Sequence, residues 1–241
     1  ECKAPVKQEI IHSADRLKPV KPNDIEIPAI YKENAAPKVL SKANNNSQAD
    51  IMQVYKFKCD NTIKESAVGE IMNSILTNSS IGLFNTLREK EHLAYSVYSS
   101  LEKDGDAGML SCNISTTTDN KDIGEISYDN VPKSIEGFFA QINALKQGLF
   151  TDQDIENAKL AMKSHLLNNE GTASKLGALN MGMNSKFGIE YANKLYDIAD
   201  KITREDIIEF ANKVFASNPV YSITATQDTL DYNKNYLNSL V

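Results

Sequence analysis

The stretch LFNTLREKEHLAYSVYSS, residues 83–100, decides how the chain is read. It opens as a helix, with Leu83, Phe84 and Leu87 at helical spacing, and closes as a strand over AYSVYS. Between the two lie Glu89, Lys90, Glu91 and His92, with no glycine or proline to mark a turn. Arg88 and Tyr95 therefore stand seven residues apart, one on each side of a helix-to-strand junction.

Upstream, residues 51–59 alternate, with Ile51, Tyr55, Phe57 and Cys59 on one parity, which predicts a strand. Residues 63–76 carry Ile63, Ala67, Val68, Ile71, Met72, Ile75 and Leu76, a helix stripe. Asn78, Ser79 and Ser80 break it, and either serine can cap the next helix. KVLSK at 38–42 reads as a short first strand and NNNSQ at 44–48 as a turn. Residues 1–36 hold Pro5, Pro19, Pro22 and Pro28 and little periodicity, the composition of a linker or extended lead-in.

Downstream, strands are expected over 94–101 and 109–117, joined by the hairpin turn DGDAG. The remainder is mostly helical. Asp119 is placed to cap a helix whose stripe includes Ile123, Ile126, Val131, Ile135, Phe138, Phe139, Ile142 and Leu145, with Pro132 kinking or splitting it and Gly148 ending it. TDQD at 151–154 resembles a capping box and opens a helix to about residue 168. Helices follow at 172–186, rich in small residues, and at 191–199. Thr203 opens the last one, ending near Phe215. Asn218 and Pro219 turn the chain into a final strand, 220–226, and residues 227–241 read as a polar tail. Strands and helices are mixed without strict alternation. The natural architecture is α+β: a two-layer unit over 37–226, with a largely antiparallel mixed sheet and helices on one face.

The chain has 241 residues, of which 41% are hydrophobic, enough for a substantial core. A net charge of -6 argues against nucleic acid as a partner. No apolar run reaches the ~18–20 residues of a membrane span, and the start carries no signal-peptide pattern, so a soluble protein is expected. The first residue is Glu1 rather than methionine, which suggests a processed or excised piece. Cys2, Cys59 and Cys112 have no paired spacing; Cys59 and Cys112 fall in predicted strands and read as small buried hydrophobes.

The histidines are His12, His92 and His165. A zinc peptidase needs two histidines and a glutamate on one helix, as H-E-x-x-H or H-x-x-E-H, and neither spelling occurs. No nucleophile elbow or phosphate loop is present. Arg88 and Tyr95 remain. By periodicity Arg88 is a surface helix residue and Tyr95 a half-buried strand residue. Brought to one rim, a guanidinium fork and a hydroxyl can hold a peptide carbonyl or steady a developing oxyanion.

The segment LFNTLREKEHLAYSV resembles the L-F-x-x-L-R-E-K-x-G-L-A-Y-S-V signature of the insulinase/pitrilysin family of zinc metallopeptidases, in its second type of domain, which lacks the zinc motif. GLFTDQDIENAK (148–159) and ITREDI (202–207) resemble further family segments, so the likeness runs over about 38–226. The resemblance implies a chamber built from paired domains or from a homo- or heterodimer. Zinc would sit on an H-x-x-E-H helix of a partner domain or subunit. Arg88 and Tyr95 would contact the peptide substrate opposite the metal. This chain would hold no metal and would hydrolyse nothing alone. A structural subunit that lost proteolysis, or a free-standing peptide-binding module, would keep the same fold. The family pattern has glycine where this chain has His92. Histidine tolerates the left-handed conformation better than most residues, so His92 is expected to end the helix rather than bind metal.

Overall fold

The computed structural model describes residues 29–120, 124–167 and 190–241. Its frame is an eleven-residue ladder. Strand β2 (Gln48–Lys58) runs antiparallel to β4 (Ala107–Thr117), from Gln48 opposite Thr117 to Lys58 opposite Ala107. Period-two alternation sends Ile51, Tyr55 and Phe57 of β2, and Leu110, Cys112 and Ile114 of β4, to one buried face. A two-residue turn joins β4 to β3 (Ser96–Asp104). On the other side of β2 lies β7 (Val220–Ala225), antiparallel to it, and then β1 (Lys38–Ala43), parallel to β7. The sheet order is β1-β7-β2-β4-β3: mixed, with one parallel pair. A separate pair, β5 (Asp119–Asn120) and β6 (Glu125–Ile126), forms a small antiparallel ribbon.

The helices cover the buried face. α1 (Ile63–Asn78) is capped by Thr62, whose side chain accepts from the Glu65 N–H, and buries the expected Ala67, Ile71, Met72, Ile75 and Leu76. α2 (Asn130–Lys146), α3 (Asp152–Leu167), α4 (Tyr191–Ala199) and α5 (Arg204–Val214) complete the layer. Phe210 and Phe215, on and just after α5, meet Phe57 and Tyr55 edge-on at 5.5 and 4.9 Å, locking helix to sheet. Each buried Leu, Ile or Phe in this layer contributes ~1.5–3 kcal/mol. The helix starts read at Thr203 and Thr151 are both capped. Thr203 and Asp206 exchange bonds across the first turn of α5, and Thr151 and Asp154 do so at α3.

Three expectations are corrected. Asp119 does not open a helix: its N–H and that of Thr118 both donate to the Ser47 carbonyl, and the chain forms the β5–β6 ribbon before α2 begins at Asn130. Ile126, counted in the helix stripe, is exposed, and Ile123 lies outside the described residues. Pro132 neither kinks nor splits α2. It sits in the first turn, where the missing N–H would have had no helical partner. Residues 227–241, read as a polar tail, form α6 (Gln227–Tyr232) and α7 (Lys234–Asn238). There Thr226 caps α6 and Thr229, Asn233 and Leu237 are buried. The 172–186 helix, Cys2, His12 and residues 1–28 lie outside the described residues.

Residues of the lead-in that are described lie along the end of the sheet. The Ile30 and Tyr31 N–H groups donate to the Asp106 carboxylate, and Asn34 and Asn218 exchange side-chain-to-carbonyl bonds at 3.0 and 3.1 Å. Cys59 and Cys112 are free thiols and buried, as expected. Burial pushes Cys59 up to about 11 and Cys112 up to about 12, so both stay protonated and unreactive at neutral pH.

Candidate functional site

The junction between helix and strand is built from an unusual helix. Residues Phe84–Lys90 form a π-helix, not the end of an α-helix. Glu91 N–H donates to the Thr86 carbonyl and Leu93 N–H to the Leu87 carbonyl at 2.8 Å, reaching back five and six residues. The entry is equally constrained. A Cβ at Gly82 would lie 2.7 Å from the Ser79 nitrogen, so only glycine permits this turn. Neither serine caps the π-helix. Ser79 ends α1, and Ser80 donates from its N–H and hydroxyl to Asp154 of α3. Asn85 instead reaches back to the Asn78 and Ser79 carbonyls at the end of α1.

His92 ends the π-helix with φ 53, the left-handed conformation expected of it. Leu93 then turns inward, with its carbonyl accepting from the buried Thr116 hydroxyl of β4. Tyr95 N–H donates to the Ser115 carbonyl at 2.9 Å, one residue before β3 begins. The backbone is thus pinned at Glu91, Leu93 and Tyr95, while the side chains of Glu91, His92 and Tyr95 are exposed.

Arg88 and Tyr95 both project outward. The Arg88 guanidinium lies over the Phe84 ring, 5.0 Å from its centroid, one turn back on the same helix. Its Nε is 3.6 Å from Glu89, a loose exposed pair that contributes little. Tyr95, expected to be half-buried, is 75% exposed. Among the described residues its hydroxyl has no hydrogen-bond partner, and no bond joins it to Arg88. The two side chains therefore stand on either side of the His92 turn, Tyr95 with its hydroxyl in solvent and Arg88 with its guanidinium over Phe84. The sequence points to the pair but not to the contacts that fix the backbone around it: Thr116 under Leu93, and Ser80 against Asp154. The capping-box spelling TDQD was a signal for Asp154, but its second duty to Ser80 carried none.

No group of three or more His, Cys, Asp or Glu able to hold a metal occurs among the described residues. His92 and His165 are both exposed. The described residues therefore do not fit a zinc site.

A family described as the Peptidase M16 inactive domain matches residues 8–162, more than half of the chain. The chain belongs to this family. No curated protein sequence matches it. Among solved structures it is similar to a peptidase M16 inactive domain from Pseudomonas fluorescens, with a TM-score of 0.66 and 17% identity over 81% of this chain and 45% of that one. A protease from Helicobacter pylori gives a TM-score of 0.65 and 16% identity over 92% of this chain and 53% of that one. Pitrilysin gives 0.59 and 12% over 80% of this chain and 20% of that one. At such identities the likeness is one of fold. The chain spans between a fifth and about half of these proteins' lengths. No described helix is long and apolar enough to cross a membrane.

Proposed function

We propose that this chain is the substrate-contacting, zinc-less domain of an insulinase-type metalloendopeptidase. It completes a peptide-cleaving chamber with a zinc-bearing domain or subunit elsewhere. The observation that carries this reading is the Arg88–Tyr95 arrangement. A cationic fork and an exposed hydroxyl flank one turn, with hydrogen-bonded backbone beneath and solvent in front. Their polar hydrogens can donate to a peptide carbonyl and to the negative charge that grows on its oxygen during attack. The zinc, with the water it activates, belongs to the partner. Membership of an inactive-domain family and similarity to peptidases support the reading. In the whole assembly, Arg88→Ala and Tyr95→Phe should each lower kcat/KM about 100-fold, the scale of losing one oxyanion donor. Folding stability should move by less than about 0.5 kcal/mol, because both side chains are exposed. Unchanged kcat/KM in both variants would overturn the proposal.

A further inference from the structure

The two edges of the sheet are treated differently. The β3 edge is guarded at Ser99: its N–H donates to Thr77 Oγ1 and its carbonyl accepts from Asn73 Nδ2, both on α1. A helix thus occupies, midway along the strand, backbone groups that another strand would need. Among the described residues the β1 edge has no such guard. Lys38 N–H donates to the Pro219 carbonyl and Asn44 N–H to that of Ala225, so even-numbered residues face β7. The N–H and C=O groups of Val39, Ser41 and Ala43 consequently point outward. Among the described residues none bonds them.

Those same three residues line a groove of about 540 Å³, whose other wall is α6 and α7 with Leu230 and Leu237. β1 is unusually bare, with every residue exposed except Val39, and Leu40 is 48% exposed on the opposite face. Lys38 and Lys234 line the groove with one acidic side chain, Asp231. The surroundings therefore favour a neutral or acidic occupant. A second copy is a poor fit. Six residues span only about 20 Å of strand, far below the ~20–30 residues a side of a stable interface between folded partners.

We propose that the outer edge of β1 and this groove receive one further strand, an extended neutral-to-acidic segment of the polypeptide that carries the zinc-bearing half. Backbone bonds to Val39, Ser41 and Ala43 supply the attachment, and alternate apolar side chains pack on Leu230 and Leu237. The inference rests on the proposed function, which supplies that polypeptide.

Residue-resolved hydrogen exchange tests it, on the 241-residue chain alone and in the native assembly. The Val39, Ser41 and Ala43 amides should exchange freely in the chain alone and slow about 100-fold or more in the assembly. Leu40 and Lys42, bonded to β7, serve as protected controls in both. Ser41→Pro removes an outward donor, and Leu230→Glu charges the groove without touching the strand. Each should weaken assembly about tenfold or more. Hydrolysis by an assembly whose outward amides stay unprotected overturns this inference and leaves the proposed function standing. Protection in an assembly indifferent to Arg88→Ala does the reverse. Outward amides already protected in the chain alone also overturn it, as does an assembly that neither cleaves peptides nor protects them.

Discussion

Leu87 of the π-helix and Gly137 of α2 meet with no space for one more carbon: a Cβ at position 137 would lie 2.3 Å from Leu87 Cδ2. Leu87 is wholly buried, so it cannot swing aside into solvent. This contact sets how closely the π-helix, and with it Arg88, lies against the helical layer. Gly137→Val should destabilise the fold by ~1–3 kcal/mol through overpacking. Leu87→Ala alone should cost ~2–5 kcal/mol by leaving a cavity. The double variant should cost less than their sum, with a coupling of ~0.5–3 kcal/mol in denaturant unfolding. Strict additivity would show that the two do not share a contact.

His92 tests the turn between Arg88 and Tyr95. At φ 53 a non-glycine residue carries a left-handed penalty of ~1–2 kcal/mol. Glycine removes that penalty but loses ~0.5–1 kcal/mol more in ordering entropy. His92→Gly should therefore be neutral or stabilising by up to about 1 kcal/mol. His92→Val, β-branched, should destabilise, since such residues are outliers there. If His92→Gly unfolds at clearly lower denaturant than the parent, histidine contributes something the backbone does not explain.

The sequence shows its regular elements through periodicity and hides those set by tertiary contacts. The parity of Ile51, Tyr55 and Phe57 and the stripe from Ala67 to Leu76 are local signals, and both sit as read. The π-helix has no local spelling. Its register comes from Leu93, which reaches back to the Leu87 carbonyl and is held in turn by Thr116, a partner far along the chain. Ile123, Ile126 and Val131 fit a helical period, yet two N–H bonds to Ser47 pull the start of that segment onto the sheet instead. The last helices were hidden by polar composition, although Leu230 and Leu237 lie two turns apart and Thr226 and Thr229 spell a cap. Arg88 and Tyr95 stand out by their family signature. Spacing alone makes them ordinary surface residues.

Glu65 is 7% exposed and receives Lys213 Nζ on Oε2 at 2.7 Å, while Lys103 stands 3.9 Å from Oε1. Lys213 also pairs with Asp60 at 2.6 Å, tying α5 to the loop after β2. Lys213→Met should destabilise by roughly 2–3 kcal/mol, because it leaves a buried carboxylate with one distant cation. Lys213→Met/Glu65→Gln should recover part of that loss, since the charge left behind is removed. A double variant no more stable than the single one, by chemical denaturation, would mean the burial of Glu65 is harmless without its partner.

Asp154 couples stability to pH through a single carboxylate. It accepts from the N–H and hydroxyl of Thr151 and of Ser80, joining the start of α3 to the loop that leads into the π-helix. Burial alone would raise its pKa, but the hydrogen bonds favour the ionised form and the net shift is downward. A carboxyl depressed in the folded state adds stability that is fully present above its unfolded pKa of about 3.9. That stability is lost as pH falls through the lower folded value. Asp154→Asn should cost ~0.5–2 kcal/mol at pH 7, the worth of a helix cap. The gap between parent and variant should then narrow as pH falls below about 4. Because other carboxylates titrate in both proteins, the difference between the two unfolding curves isolates this one. A gap that stays constant from neutral pH down to pH ~2.5, past the unfolded carboxyl range, would show that the charge on Asp154 does not hold Ser80.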